Sequence, residues 1–67
     1  MPNLVKRSVN LSGHATSLAL EPEFWAVLEQ MAKGSSFAAL IARIDAERGE
    51  RPLASACRIA ALKYVRS

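Results

Sequence analysis

The side chains able to do covalent or acid–base chemistry are few in this sequence, and they stand apart. His14 is the only imidazole and Cys57 the only thiol. An imidazole suits proton transfer near neutral pH, but no Ser, Cys or acid stands at motif spacing from His14. One His and one Cys cannot make a structural zinc site. There is no Cys-x-x-Cys, no His-Glu-x-x-His and no glycine-rich phosphate loop. Acidic residues that neighbour one another in sequence fall on expected solvent faces. No catalytic residue, metal or cofactor is therefore assigned, and a chain this short has few places to hide a site. The reading is not an enzyme. What remains is binding chemistry: the cations Lys6 and Arg7, the polar Ser8 and Asn10, and the Ser35-Ser36 pair.

These residues must be positioned by a short strand feeding a helix. Thr16, Leu18 and Leu20 alternate with Ala15, Ser17 and Ala19, as in a strand with one buried face. Pro22 follows at once; in a first helical turn its missing N–H loses no bond. Glu21 and Glu23 put negative charge at the positive end of that helix dipole. Upstream, Val5, Arg7, Val9 and Leu11 share one face and Lys6, Ser8 and Asn10 the other. Ser12-Gly13 is a two-residue turn signal. If it closes a hairpin, Val5 faces Leu20, Lys6 faces Ala19, Ser8 faces Ser17 and Val9 faces Thr16. The alternative is an irregular arm before residue 14.

The expected layout is one domain over 1–67: an arm or extra strand (1–13), a strand (14–20) and helices over 22–33, 36–48 and 53–65. Phe24, Trp25, Leu28, Met31 and Ala32 form the apolar stripe of the first helix, and Gly34 ends it with a positive φ. Trp25 has two readings, base-stacking platform or core, and its place on the stripe favours core. Ser35 or Ser36 caps the second helix. Its stripe is Phe37, Leu40, Ile41 and Ile44, with Asp45, Glu47 and Arg48 solvated. The third helix carries Leu53, Ala56, Cys57, Ala60 and Tyr64 on one stripe, with Ile59, Leu62 and Val65 off it. A helix apolar on more than one side needs more than one cover, here a second copy. Cys57 reads as a small buried apolar residue rather than a redox thiol.

Composition sets the bounds. A chain of 67 residues, 51% hydrophobic, makes a core that is marginal alone. No disulfide can help it, so association is expected. No apolar run approaches the roughly 20 residues that span a bilayer, and no apolar block follows Lys6 and Arg7 as in a signal peptide. The expected compartment is the cytoplasm, which suits a free thiol. The net charge of +3 is unevenly spread. Residues 1–20 and 51–67 carry cations and no acid, and all the acids lie in 21–50. Basic ends permit an anionic partner such as nucleic acid without demanding one.

The strand, the proline-started helix, the Gly34-Ser35-Ser36 turn and Leu40-Ile41 resemble the ribbon-helix-helix family of DNA-binding proteins, the class of the Arc and MetJ repressors. Lys6-Arg7-Ser8-Val9, Gly13-His14, Thr16-Ser17 and Leu20-Glu21-Pro22-Glu23-Phe24-Trp25 further resemble a small bacterial subgroup of it. The resemblance implies an α+β, mostly α, intertwined homodimer that acts as a transcriptional regulator. Antiparallel strands from two chains would enter the major groove and read bases. It places Ala15, Ser17 and Ala19 on the DNA-facing side. It places Ser35 and Ser36 at the phosphate-holding start of the second helix. Thr16, Leu18, Leu20, Trp25, Leu40, Ile41, Ile44 and Ile59 would lie in the dimer interface. Two alanines and a serine are a departure from the long polar side chains usual on that ribbon. Lys6, Arg7, Ser8 and Asn10 would supply what is missing; as a flexible arm, Lys6 and Arg7 would bind phosphate. As a fixed outer strand they would give the dimer a four-stranded sheet, a poor fit to a groove that suits two strands. The alternative function is a dimeric protein-interaction module that keeps the fold without specific DNA binding.

Overall fold

The alternating segments close on each other as a hairpin. In the computed structural model, which describes residues 3–67, β1 (Val5–Leu11) pairs antiparallel with β2 (His14–Leu20). The first two residues of the expected arm lie outside the described residues. Val5 faces Leu20, Ser8 faces Ser17 and Val9 faces Thr16. The connection is Ser12 and Gly13, with φ of 52° and 81°. A two-residue loop whose central residues are both left-handed matches the twist of its flanking strands and pins the register. Glycine takes that conformation freely; Ser12 takes it at a cost of about 1–2 kcal/mol.

Three helices follow: α1 (Pro22–Met31), α2 (Phe37–Glu47) and α3 (Leu53–Arg66). Pro22 opens α1 as expected, with Glu23 in its first turn. That helix stops at Met31, two residues before the expected end. Ala32 and Lys33 enter the turn completed by Gly34 at φ 85°, where the Ser35 amide donates to the Ala32 carbonyl at 3.0 Å. Ser36 caps α2, its Oγ accepting from the Ala39 amide at 2.9 Å.

The hairpin forms one layer and the helices the other. β1 packs on α2, β2 on α3, and α3 also packs on α1 and α2. The core between them holds Val9, Leu18, Leu20, Trp25, Leu28, Leu40, Ile41, Ile44, Ala56, Cys57 and Ala61. A fully buried Leu or Ile contributes about 1.5–3 kcal/mol, and Leu20, Leu28 and Ile41 are fully buried. An exposed ion pair such as Arg7–Glu29, at 3.1 Å, contributes about 0–1 kcal/mol. Apolar burial therefore holds the layers together, and the polar contacts orient them.

Two expectations need correction. Tyr64 is not a core residue of α3: it is 45% exposed, and Ala61, at 1%, is buried instead. Small side chains face inward so that α3 can approach its neighbours closely, and Tyr64 falls in the last turn, past the core. Asp45 and Arg48 are not simply solvated. Both are half-buried; Arg48 Nε donates to Asp45 Oδ1 at 2.6 Å and Arg48 Nη1 to the Arg51 carbonyl at 2.6 Å, tying the end of α2 to the turn before α3.

Two long-range polar contacts join the layers and helices. Trp25 Nε1 donates to the Val5 carbonyl at 2.8 Å. Arg58 of α3 donates through Nε to Glu21 Oε1, 3.0 Å, at the β2–α1 junction. Replacing Trp25 by Phe leaves the Val5 carbonyl without its donor. It should lower stability by about 1–3 kcal/mol, read as a lower urea midpoint at unchanged slope; an unchanged midpoint would show that the bond carries nothing. The Arg58 guanidinium holds the Glu21 carboxyl below its ordinary pKa. Because the folded value is the lower one, the contribution is complete above the unfolded carboxylate range, about pH 4.3. It is lost as pH falls through the folded value. Glu21→Gln should flatten the acid limb of stability against pH, and parallel acid limbs would remove Glu21 as a contributor.

Candidate nucleic-acid interface

Strand parity sorts the candidate residues into two groups. The pairs Lys6–Ala19, Ser8–Ser17 and Asn10–Ala15 are in register and alternate with the buried Val9, Leu18 and Leu20, so they occupy the open face of the hairpin. Lys6, Ser8, Asn10, Ala15 and Ser17 are exposed and Ala19 half-buried. The open face is a row of β1 polar groups beside a row of small β2 side chains. Lys6 is its cation, with no carboxylate within ion-pair distance among the described residues. A small-residue row lets a duplex approach closely, while hydroxyl, amide and ammonium groups can donate to base edges or phosphate.

Arg7 belongs to the other group. Its parity turns it toward the helices, where its guanidinium carbon lies 4.6 Å from the centre of the Trp25 ring and 5.8 Å from that of Phe37. Nη1 is 3.1 Å from Glu29 Oε2. The Trp25 and Phe37 rings are themselves 5.9 Å apart, so Trp25 is a core residue that also carries a cation on its face. Phe37 is the first residue of α2. Arg7 thus stands beside the helix start that holds Ser35 and Ser36, although it is distant in sequence. There the Ser36 side chain satisfies one amide, and helix geometry leaves the Phe37 and Ala38 amides without an intrahelical acceptor. A cation next to free first-turn amides is an arrangement suited to an anion, which here has to displace Glu29 from Arg7.

The structure therefore brings the candidate DNA contacts together as two neighbouring surfaces: Lys6, Ser8, Asn10, Ala15, Ser17 and Ala19 on the hairpin face, and Arg7 with Ser35 and Ser36 at the start of α2. Of the side chains expected between two copies, Leu18, Leu20, Trp25, Leu40, Ile41 and Ile44 are already buried within one chain. Thr16 and Ile59 are half-buried. Glu29 was missed as a partner of Arg7; no sequence pattern signals it, since it is set by how the hairpin docks.

His14 is exposed beside the turn. Among the described residues no group of three or more His, Cys, Asp or Glu side chains converges. No helix among the described residues is long and apolar enough to cross a membrane. Cys57 is fully buried, and burial pushes its thiol up to about 11.

Residues 4–65 match the family model of the ribbon-helix-helix domain. No curated protein matches the chain, and no solved structure does.

A thiol both covered and protonated reacts slowly. A thiol-specific disulfide reagent at pH 8 should label Cys57 only as fast as the protein opens, with rapid labelling in denaturing urea. Prompt stoichiometric labelling of the folded protein would show that the α3 core is open.

Proposed function

This chain belongs to the ribbon-helix-helix family, and on that footing we propose that it is a homodimeric transcriptional regulator that binds double-stranded DNA with the open face of its hairpin. The family is one of DNA-binding, non-enzymatic proteins. The observation that carries the finer reading is the exposed polar row Lys6, Ser8 and Asn10, set in register beside Ala19, Ser17 and Ala15. With β1 fixed beside β2, a dimer paired through β2 has four strands, too broad to enter the groove as a two-stranded ribbon does. The open face therefore lies across the mouth of the major groove; Ser8, Asn10 and Ser17 meet base edges there, and the methyls of Ala15 and Ala19 suit thymine. Lys6 meets phosphate. Arg7 and the Ser35-Ser36 start of α2 hold the flanking backbone, which fixes the hairpin's angle to the groove.

The homodimer is supported by what one chain leaves open. A two-stranded sheet is marginal by itself, and β2 has a second edge with no strand partner among the described residues. The family pairs strands between chains, and this edge is free to do so, flanked by the half-buried Thr16. Large apolar side chains also stay exposed on α3, with Leu62 at 50% and Val65 at 58%. The second reading, a protein-interaction module, draws on the short side chains Ala15 and Ala19, which cannot make bidentate base contacts.

Duplex binding by the purified protein across a salt series is the test. Affinity should fall linearly with salt on a log–log plot. Lys6→Ala should weaken binding evenly across sequences and reduce the slope by about 1. Asn10→Ala should change sequence preference and leave the slope alone. No shift of any duplex at low salt by folded protein would overturn the DNA reading and leave the interaction module.

A further inference from the structure

The later half of α2, the turn after it and α3, with Met31 of α1, line an open groove of about 230 Å³, which neither the hairpin face nor the start of α2 shares. Its floor is apolar: Ile44 of α2 with Ile59 and Ala60 of α3. Its rim is basic: Arg43, Arg51 and Lys63. None of these three has a carboxylate within ion-pair distance among the described residues. Arg48 also lines the groove, but its guanidinium is engaged by Asp45 and the Arg51 carbonyl; Glu47 is the only acid on the lining. Along α3 the lining recurs at 56, 59, 60 and 63. That is one continuous helix face, about 10 Å long at 1.5 Å per residue.

We infer that this groove is a docking site for an acidic amphipathic helical segment of another protein, its apolar side chains on Ile44, Ile59 and Ala60 and its carboxylates on Arg43, Arg51 and Lys63. An apolar floor between two helices takes the apolar stripe of a third, and a rim of unpaired cations selects acidic flanks and repels basic ones. Charge argues against a second copy as the occupant, so Ile59, expected between two copies, is assigned to this partner instead. The exposed large apolar side chains of this chain are Leu4, Val5, Leu62, Tyr64 and Val65. They stand beside Lys6, Arg7, Lys63 and Arg66, and α3 has no acid at all. None of the exposed acids, Glu23 and Glu29 on α1, Glu47 at the end of α2 and Glu50 in the turn after it, neighbours one of those apolar side chains in sequence. A second copy would set cations on cations.

The test uses the full chain and a labelled synthetic helix with leucines at i, i+3, i+4 and i+7 and glutamates elsewhere. A scrambled peptide of the same composition and a version with lysines in place of the glutamates are the controls. The acidic amphipathic peptide should raise fluorescence anisotropy on binding and shift the amide resonances of Ile44, Ile59 and Ala60. The controls should bind at least several-fold more weakly. The double variant Arg43→Glu, Lys63→Glu, at two exposed positions, should weaken the acidic peptide roughly tenfold. Its salt slope on duplex DNA should not change, because neither residue lies on the hairpin face or at the start of α2; peptide binding and DNA binding thus fail separately. Equal binding of the scrambled or lysine peptide, absence of binding, or shifts confined to the hairpin would overturn the inference. So would groove resonances that move with protein concentration alone, since a second copy would then be the occupant.

Discussion

The bond from the Trp25 indole to the Val5 carbonyl fixes the relation between the two layers. It spans 20 residues of sequence and fastens the first residue of β1 to the middle of α1. Strand side chains alternate, so holding β1 at Val5 decides the face of every later residue in it. Arg7 goes down onto the Trp25 ring, Val9 into the core, and Lys6, Ser8 and Asn10 up into solvent. The Ser12-Gly13 turn passes that choice to β2. A slip of one residue would bury Ser8 and expose Val9, costing a hydrophobic contact and stranding a hydroxyl, so the register has no close competitor.

Much of this was legible in the residues. Period-two alternation on both sides of a two-residue turn signal sets the pairs Val5–Leu20 and Val9–Thr16, because the turn length fixes the register once the strands are recognised. The α1 and α2 stripes follow from three-and-four spacing, and Pro22 and Ser36 mark their starts by what they do to unsatisfied amides. The open-face residues follow from the same parity, as does Arg7's place with Val9 rather than with Lys6. The partner of Arg7, and its position beside α2, were not legible. They depend on how the hairpin docks, as does the contact from Glu21 to Arg58, 37 residues away. In α3 the pattern was ambiguous, since a helix rich in alanine with scattered large side chains presents several apolar faces. Packing decided for the smallest one and left Tyr64 outside.

The distribution of charge follows the layout. The acids of the middle segment are partly consumed in holding the architecture: Glu21 on Arg58, Glu29 on Arg7, Asp45 on Arg48. Lys6 on the hairpin face and Arg43, Arg51 and Lys63 along the α2–α3 groove have no such partners among the described residues. The net positive charge is thus concentrated where the surface is open, on two separate sides of a very small protein.

The hairpin also has a consequence for symmetry. Two copies of one strand, paired antiparallel, present the same side chains in both directions, and a site read by them mirrors itself as a palindrome. Here the paired strands are different segments of one chain. Lys6 marks one end of the open face and Asn10 the other, with no counterpart of either on β2. The face of a single copy therefore has a direction, and a duplex lying along it meets a different residue order when turned end for end.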